Sequence, residues 1–205
     1  IEAEADEGFP GALVEAGAQV LDLEALAAHR GSLLGALPDS PQPAQKGFES
    51  AICSALSRFD PAHPVYVESE SKRIGSLTVP DALIAAMRAS PCVRIEAPLT
   101  ARVALLTEDY AHFLADPEAL NARLAHLAEL RGNDTIAAWQ ALARDHAWPA
   151  LVTALLEQHY DPAYLKSLSH NYAPGADDVT VQAEILALLR SLQDGEVALL
   201  NHAAL

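Results

Sequence analysis

Apolar and polar positions in the first half of the chain follow two alternating patterns. Three short runs with few polar residues are typical of strands buried on both faces of a parallel sheet: residues 19–23, 64–68 and 91–96. Three other stretches space their apolar side chains by three and four, as a helix does: residues 24–30, 48–59 and 80–89. Strands that alternate with helices predict right-handed crossovers and a layered α/β fold with a parallel sheet.

The pattern changes after Pro98, where helical spacing continues without a strand signal. Five stretches place apolar residues on one face of a helix: residues 103–113, 120–127, 136–142, 151–156 and 181–192. The sequence therefore predicts an α/β domain over residues 1–98 and an all-helical extension over residues 99–205.

The composition supports a buried core. Of the 205 residues, 51% are hydrophobic and 20% are charged. No apolar run approaches the roughly 20 residues of a membrane span, and the acidic first residues lack the basic start of a signal peptide. We therefore expect a cytoplasmic location and no membrane partner.

The two cysteines, Cys53 and Cys92, are far apart in the sequence and have apolar neighbours. This pattern does not favour a disulfide or a cysteine-based zinc site. Cys53 lies close to Phe48, Ile52 and Leu56, so we predict that it belongs to the core, and Cys92 receives the same interpretation.

The formal net charge of −15 argues against binding to nucleic acid, since neutralisation of phosphates dominates such affinity. The positions of the basic residues weaken this argument. Arg30, Lys46, Lys72 and Arg73 all lie in polar motifs within the first 75 residues. The sequence is therefore compatible with a local anion site in an acidic protein.

Ligands of open parallel sheets bind outside the carboxyl ends of the strands, and polar residues follow two of the three predicted strands. The first group is His29-Arg30-Gly31-Ser32. Arg30 can direct two donors to a phosphate, His29 can donate or shuttle a proton, and Gly31 allows the backbone a close approach. The alternative is a plain helix C-terminus, where His and Arg favour the last turn and Gly the next position.

The second group follows the second strand and consists of Glu68, Ser69, Glu70, Ser71, Lys72 and Arg73. An acid at the end of such a strand can hold Mg²⁺ or orient water in P-loop proteins, and an arginine can contact phosphate. The alternative is a solvated loop whose charges pair with one another. Asp22 and Glu24, at the end of the first strand, are weaker candidates of the same kind.

Gln45 and Lys46 open the helix that follows a proline-rich loop. A cation at a helix N-terminus opposes the preference of the helix dipole for acids there, which suggests an anion partner. The alternative is a solvated lysine with no ligand.

Three sequence blocks in this order resemble the C-terminal domain of the tRNA 2-selenouridine synthases. The first contains Leu23-Glu24-Ala25-Leu26-Ala27-Ala28-His29-Arg30-Gly31-Ser32 and then Leu34-Gly35, the second runs from Gln42 to Glu49, and the third runs from Val67 to Gly75 before Val79-Pro80. Residues 102–110 and 159–164 resemble the helical tail of the same family. The likeness covers roughly residues 12–172.

The resemblance implies a sheet of P-loop NTPase type and a selenotransferase that acts on tRNA. Such an enzyme replaces the sulfur of 2-thiouridine with selenium at the wobble position, through a geranylated intermediate. Selenophosphate and geranyl diphosphate are the implied co-substrates, with Mg²⁺ as a further candidate, and the tRNA anticodon region and a rhodanese-like domain are the implied partners. Glu68, Glu70 and His29 are the predicted catalytic residues, and no metal ligands are assigned. The predicted substrate- and phosphate-binding residues are Arg30, Gly31, Ser32, Gln45, Lys46, Ser69, Ser71 and Arg73.

The sequence departs from the family pattern in one motif. The phosphate-binding pattern G-x-x-x-x-G-K-[ST] does not occur in the 205 residues, and none of the three lysines follows a glycine. Glu7-Gly8-Phe9-Pro10-Gly11 stands where the resemblance places that loop, and neither its preceding strand nor a rhodanese-like domain is found in these residues. The sequence leaves three hypotheses: part or a variant of the enzyme, a non-catalytic module that binds tRNA or anions, and a degenerate domain used for association.

Overall fold

The computed structural model describes residues 9–32, 34–37, 40–69, 71–171, 179–182 and 199–201. These residues form two compact units. The first contains residues 9–96 together with the strands at 179–182 and 199–201, and the second contains residues 97–171.

The first unit is built on a parallel sheet with helices and one hairpin. Its elements are α1 (Phe9–Glu15), β1 (Gln19–Leu21), α2 (Leu23–Ala27), α3 (Gln45–Leu56), β2 (Val65–Glu68), β3 (Arg73–Ile74), β4 (Leu77–Thr78), α4 (Asp81–Ala89), β5 (Cys92–Glu96), β6 (Val179–Gln182) and β7 (Leu199–Asn201). The sheet has the order β1-β2-β7-β5-β6, and all its pairings are parallel. The three strands predicted from apolar runs are confirmed, and so is the mixed α/β class.

The parallel register brings the ends of β1 and β2 together. Leu21 lies opposite Val67, so that the residues that follow them, Asp22 and Glu68, reach the same edge of the sheet. The core beneath this edge is apolar on both strands and on the flanking helices. Its buried members include Leu13, Leu21, Leu23, Phe48, Ile52, Tyr66, Val67, Ile84, Met87 and Val93.

The prediction of an all-helical extension is wrong at its C-terminal end. Residues 179–182 form β6, which pairs with β5, and residues 199–201 form β7, which lies between β2 and β5. The Val-Thr-Val run of β6 has the β-branched side chains that fit a pleated sheet. The helix was predicted because the spacing between Val181 and the later apolar residues matches the helical period. The rest of the predicted helix at 181–192 lies outside the described residues.

The prediction that Cys53 belongs to the core is also wrong. The buried face of α3 is formed by Phe48, Ile52 and Ala55, and Cys53 is exposed. Each helical residue turns by about 100° from the last, so the neighbour of a core residue can face solvent. Cys92, at the start of β5, is half-buried.

The second unit is helical throughout its described part. It contains α5 (Leu99–Asp109), α6 (Ala111–Ala115), α7 (Pro117–Ala125), α8 (Ala128–Arg131), α9 (Asn133–Arg144), α10 (Trp148–Leu155), a π-helix (Leu156–Tyr160) and α11 (Asp161–Asn171). Its core joins Leu106 and Leu156 with Val103, Val152 and Tyr160. Four helices predicted up to residue 156 are present, although the first is divided at Tyr110 into α5 and α6.

The tail block that resembles the family is part of this helical core. His159 is buried, and its Nδ1 accepts a hydrogen bond from Nε of Arg131 at 2.9 Å. Burial first, and then the charge of Arg131, lower the pKa of His159, so the ring is neutral at neutral pH. The block therefore packs the core of the second unit.

An ion pair between Arg102 and Asp161 joins α5 to α11. Two guanidinium nitrogens of Arg102 donate to the two carboxylate oxygens of Asp161, at 3.2 and 2.5 Å, and both side chains are mostly shielded from solvent. Replacement of Asp161 by alanine should destabilise the second unit by about 1–3 kcal/mol, because Arg102 then keeps its charge without a partner. Urea unfolding of Asp161→Ala checks this, with Asp145→Ala at an exposed site as the control. Equal loss of stability in both variants would contradict the role of the pair.

Candidate functional site

Glu68 ends β2 and caps the helix that follows β1. The backbone N–H of Leu23 donates to Oε2 of Glu68 at 3.0 Å, and that of Glu24 donates to Oε1 at 3.4 Å. Asp22 is the N-cap residue of the same helix, and its side chain accepts a hydrogen bond from the N–H of Ala25 at 2.7 Å. Two carboxyl groups therefore satisfy the first N–H groups of α2, which have no partners within the helix.

The surroundings of Glu68 favour its protonated form. The side chain is only 5% exposed. Burial raises the pKa of Glu68 well above its usual range, and the negative charge and hydrogen bond of Asp22 raise it further, while the N–H of Leu23 acts in the opposite direction. The protonated carboxyl of Glu68 can donate a hydrogen bond to the carboxyl group of Asp22, so this edge of the sheet holds a group that can exchange a proton.

The His29-Arg30-Gly31-Ser32 motif lies beyond α2. The helix ends at Ala27, and Ala28 adopts the left-handed conformation with φ of 49°. His29 is buried and forms a backbone bridge with Ala36. The N–H of His29 donates to the carbonyl of Glu24 at 3.1 Å, so His29 belongs to the C-terminal cap of α2, as the helix-terminus interpretation of the motif expects.

A tight loop holds Arg30 and Ser32. The N–H of Arg30 donates to the carbonyl of Gly35 at 2.8 Å, and the N–H of Ser32 donates to the carbonyl of Arg30 at 2.6 Å. Arg30 and Gly31 are half-buried. The Oγ of Ser32 is enclosed, and it has no hydrogen-bond partner in the described part of the chain. The Oγ of Ser32 therefore keeps hydrogen-bonding capacity that the described residues do not use.

Gln45 does not have a free amide for a ligand. Its Nε2 donates to the carbonyl of Thr78 and to a carboxylate oxygen of Glu49, both at 2.8 Å, and its Oε1 accepts from the N–H of Thr78 at 2.9 Å. The side chain therefore pairs with β4 as another strand would. Its effect on the site is indirect, because it fixes the start of α3 beside the hairpin.

Lys46 follows Gln45 as the second residue of α3 and is exposed. The N-cap residue, Ala44, provides no side-chain hydrogen bond to the first turn. No ion pair is formed by Lys46 with any described residue. The prediction of a cation at a helix N-terminus is confirmed, while its anion partner stays a prediction.

The cluster after β2 is divided between structural and exposed side chains. Ser69 is half-buried, and Glu70 lies outside the described residues. The Oγ of Ser71 donates to the carbonyl of Arg73 at 2.5 Å and accepts from its N–H at 3.2 Å, so Ser71 shapes the turn into β3. Lys72 pairs with Asp81 at the start of α4, at 2.7 Å.

Arg73 is exposed in β3 and lies opposite Thr78 of β4. Its guanidinium forms no ion pair within the described residues. Thr78 is hydrogen-bonded to Gln45, the residue before Lys46, so the hairpin that bears Arg73 packs beside the start of α3. The assignment of Lys46 and Arg73 to an anion-binding surface stays a prediction.

Two residues that position these groups are missing from the predicted site. Gln42 bonds both the end of α2 and the turn of the β3–β4 hairpin, and Gly75 in that turn packs against Gln42 and His29. The hairpin itself was not predicted, because strands of two residues carry no periodicity. The available signals were the polar residue within a proline-rich loop and the glycine after Ile74.

Metal and membrane sites were also searched within the described residues. No group of three or more His, Cys, Asp or Glu side chains is arranged there to hold a metal ion. None of the helices described is long and apolar enough to cross a membrane.

The fold and the polar edge define a class of protein. The chain contains an α/β domain with a parallel sheet, in which the acids Asp22 and Glu68 lie at the carboxyl ends of β1 and β2. The model of the tRNA 2-selenouridine synthase AAA domain matches residues 11–132, more than half of the chain. The chain therefore belongs to the tRNA 2-selenouridine synthase family, and the resemblance seen in the sequence blocks is confirmed.

Curated relatives agree with this assignment. A tRNA 2-selenouridine synthase of Aeromonas salmonicida is 34% identical over 183 residues, which cover 74% of this chain and 48% of the relative. That of Marinobacter nauticus is 30% identical over 175 residues (70% and 47%), and that of Nitrosomonas europaea is 39% identical over 94 residues (44% and 24%). The chain thus spans about half the length of these relatives or less. No solved structure gives a significant match.

Proposed function

We propose that this chain supplies the AAA domain of an enzyme that replaces sulfur with selenium in 2-thiouridine of tRNA. Membership of the family supports this function, since its relatives are named tRNA 2-selenouridine synthase. The observation that carries the proposal is that Lys46 and Arg73 are exposed and form no ion pair with any described residue, in a unit whose sheet edge also holds the carboxyl groups of Glu68 and Asp22. Exposed cations and a carboxyl group that exchanges protons, in one unit, suit a reaction whose substrates are all phosphorylated.

Each side chain of the site has a role in this proposal. Lys46 and Arg73 contact phosphates of tRNA or the diphosphate of geranyl diphosphate, and Arg30 adds a third contact. Selenophosphate is the selenium donor. Glu68 and His29 exchange protons with the reacting base, while Ser32 offers its enclosed hydroxyl to a ligand oxygen. We place no Mg²⁺ on Glu68, because both its oxygens face N–H groups of α2 and its protonated form is favoured.

The wider features of the protein follow from the same proposal. The sheet is of P-loop NTPase type, and the helical unit of residues 97–171 lies between its strands β5 and β6 along the chain. The tRNA is bound through its anticodon region, a geranylated tRNA is the intermediate, and a rhodanese-like domain accompanies this chain in the full-length protein. The reaction takes place in the cytoplasm. Glu70 takes part in catalysis beside Glu68.

The hydrogen bonds of two predicted site residues favour a second function, the binding of tRNA or anions without catalysis. Gln45 is fully bonded to Thr78 and Glu49, and Glu68 is bonded to the start of α2. A chain that used these groups only for its fold would bind tRNA or anions without catalysis. The two functions differ in the outcome expected for Glu68→Gln in the full-length protein. Loss of selenium transfer with unchanged tRNA affinity supports the enzyme, and unchanged transfer supports the binding module.

The anion surface is tested by the salt dependence of tRNA binding. Each cation that no longer contacts a phosphate should reduce the slope of log affinity against log salt by about 0.7–0.9. We expect Lys46→Ala and Arg73→Ala each to weaken binding and to flatten this slope, measured by fluorescence anisotropy with labelled tRNA between about 50 and about 200 mM salt.

The matched control for this experiment is Arg58→Ala. Arg58 is exposed, and it follows the C-terminal end of α3, about 18 Å along the axis from Lys46. Arg58→Ala removes one positive charge, as Lys46→Ala does, but from the opposite end of α3. A slope that falls equally in all three variants would show a non-specific effect of net charge and would refute the proposed surface.

A further inference from the structure

Helix α2 is held at both of its ends by side chains from other parts of the chain. At its start, Glu68 accepts the N–H groups of Leu23 and Glu24. At its end, Nε2 of Gln42 donates to the carbonyl of Ala27 at 3.3 Å. A helix of five residues is too short to be stable alone, so these contacts decide its position. The loop with His29 and Arg30 begins where Gln42 holds the helix.

The same amide of Gln42 also holds the β3–β4 hairpin. Its Nε2 donates to the carbonyl of Ile74 at 2.9 Å. Its Oε1 accepts from the N–H and the Oγ of Ser76, at 2.8 and 2.9 Å. With the bond to Ala27, both donors and both acceptor positions of the amide are used. Gln42 thus connects the end of α2 to the turn that follows Arg73.

The turn is shaped to receive this side chain. Gly75 has φ of +57°, and a Cβ atom there would lie 2.3 Å from Oε1 of Gln42 and 2.8 Å from Cδ2 of His29. The glycine therefore allows two side chains to pack directly on the backbone of the turn. A contact this close ties the position of the hairpin to Gln42 and His29.

The hairpin depends on such contacts, because its strands have two residues each. A two-stranded hairpin is marginally stable in water by itself. Besides Gln42, it is held by the bonds of Gln45 to Thr78 and by the pair of Lys72 with Asp81, whose two side chains are exposed. Exposed pairs contribute little. The partly buried amide of Gln42 is therefore a main determinant of where Arg73 stands.

We propose that Gln42 is a positioning residue of the anion site, which sets the hairpin bearing Arg73 against the loop bearing Arg30. The inference rests on the proposed function, since it assigns these cations to phosphate binding. Gln42 itself contacts no ligand in this proposal. It acts through the hydrogen bonds to Ala27, Ile74 and Ser76.

The first test measures position directly. Amide hydrogen exchange of Gln42→Ala should accelerate in the turn at Ile74–Ser76 and around residues 28–36, while α4 exchanges as in the unchanged protein. Gln158→Ala, at an exposed glutamine of the π-helix, is the matched control and should change neither segment. Unchanged exchange at both segments in Gln42→Ala would overturn the proposal.

The second test is a double-mutant cycle on tRNA binding. We expect Gln42→Ala to weaken binding about threefold to tenfold, similar to Arg73→Ala. The double variant should bind within about twofold of Arg73→Ala alone. Gln42 affects binding through the position of Arg73, and the Arg73→Ala variant already lacks that side chain. A merely structural effect of Gln42 would instead multiply with that of Arg73.

The outcomes separate this proposal from the function on which it rests. If Arg73→Ala weakens binding and Gln42→Ala does not, the positioning role is wrong and the anion site stands. If the effects of the two changes on tRNA affinity multiply in the double variant, the positioning role is likewise wrong and the anion site stands. If neither change alters binding, the proposed anion surface is wrong, and the role of Gln42 in it is overturned as well.

Discussion

Replacement of Glu68 by alanine should destabilise the first unit by about 2–4 kcal/mol. The change leaves the N–H groups of Leu23 and Glu24 without their acceptor in a place where the carboxyl group is 5% exposed. It also opens a cavity at the edge of the core. Since a domain is stable by about 5–15 kcal/mol, the loss is a large fraction of the total. Urea unfolding followed by circular dichroism measures it.

Glu68→Gln is the matched control for this prediction. The amide keeps one oxygen for the N–H of Leu23 and can donate to Asp22, as the protonated acid does. We expect its stability to lie within about 1 kcal/mol of the unchanged protein at neutral pH. An alanine variant as stable as the glutamine variant would refute the capping role of Glu68.

The same residue predicts a dependence of stability on pH. The pKa of Glu68 is raised in the folded protein from an ordinary value of 4.5, so the folded chain binds more protons than the unfolded chain above that pH. The contribution of Glu68 to stability is therefore complete below pH 4.5 and decreases as the pH rises towards the folded pKa, by up to about 1.4 kcal/mol per pH unit. Glu68→Gln should lack this decrease. Equal pH profiles for the two proteins would contradict the prediction.

Replacement of Gly35 by alanine should destabilise the first unit by about 2–3 kcal/mol and disturb the Arg30 loop. An added Cβ would lie 2.7 Å from the carbonyl carbon of Arg30 and 2.9 Å from its oxygen. These are backbone atoms, held by the hydrogen bond from the N–H of Arg30 to Gly35, so they cannot move aside as a flexible side chain would.

Gly47→Ala provides the opposite expectation in the same unit. Gly47 lies in α3, and an added Cβ would meet its nearest neighbour, Pro43, at an ordinary 3.8 Å. Alanine should stabilise the helix by about 0.5–1 kcal/mol. The midpoints of thermal unfolding should therefore move in opposite directions for the two variants. Destabilisation by both changes would show that the clash at Arg30 is not the cause.

The strands and the long helices of the first unit could be predicted because their apolar residues recur at the right period. The sites of β1, β2 and β5 are confirmed, and α3 and α4 lie within a few residues of their predicted positions. The β3–β4 hairpin and the strands β6 and β7 could not be predicted in this way. A strand of two to four residues shows too few side chains to separate one period from another.

The candidate site was located by a rule of topology, since polar residues follow the carboxyl ends of parallel strands. The structure has Glu68 at this edge, as the rule predicts, but the rule could not say what each side chain would contact. Gln45 was expected to bind phosphate and instead bonds to Thr78. Gln42 lay in one of the quoted blocks and was not assigned to the site, although four hydrogen bonds converge on its amide.

The amino-acid sequence by itself determined the family, the parallel sheet and the segments in which charged groups lie. These features depend on local pattern and on residue identity. Only the tertiary structure decided that Glu68 is buried beside Asp22 and that Gln45 bonds to Thr78. A raised pKa requires burial and a specific neighbour, and the bond of Gln45 joins residues more than thirty positions apart. Such long-range contacts have no local signature, because each is formed only after the chain has folded.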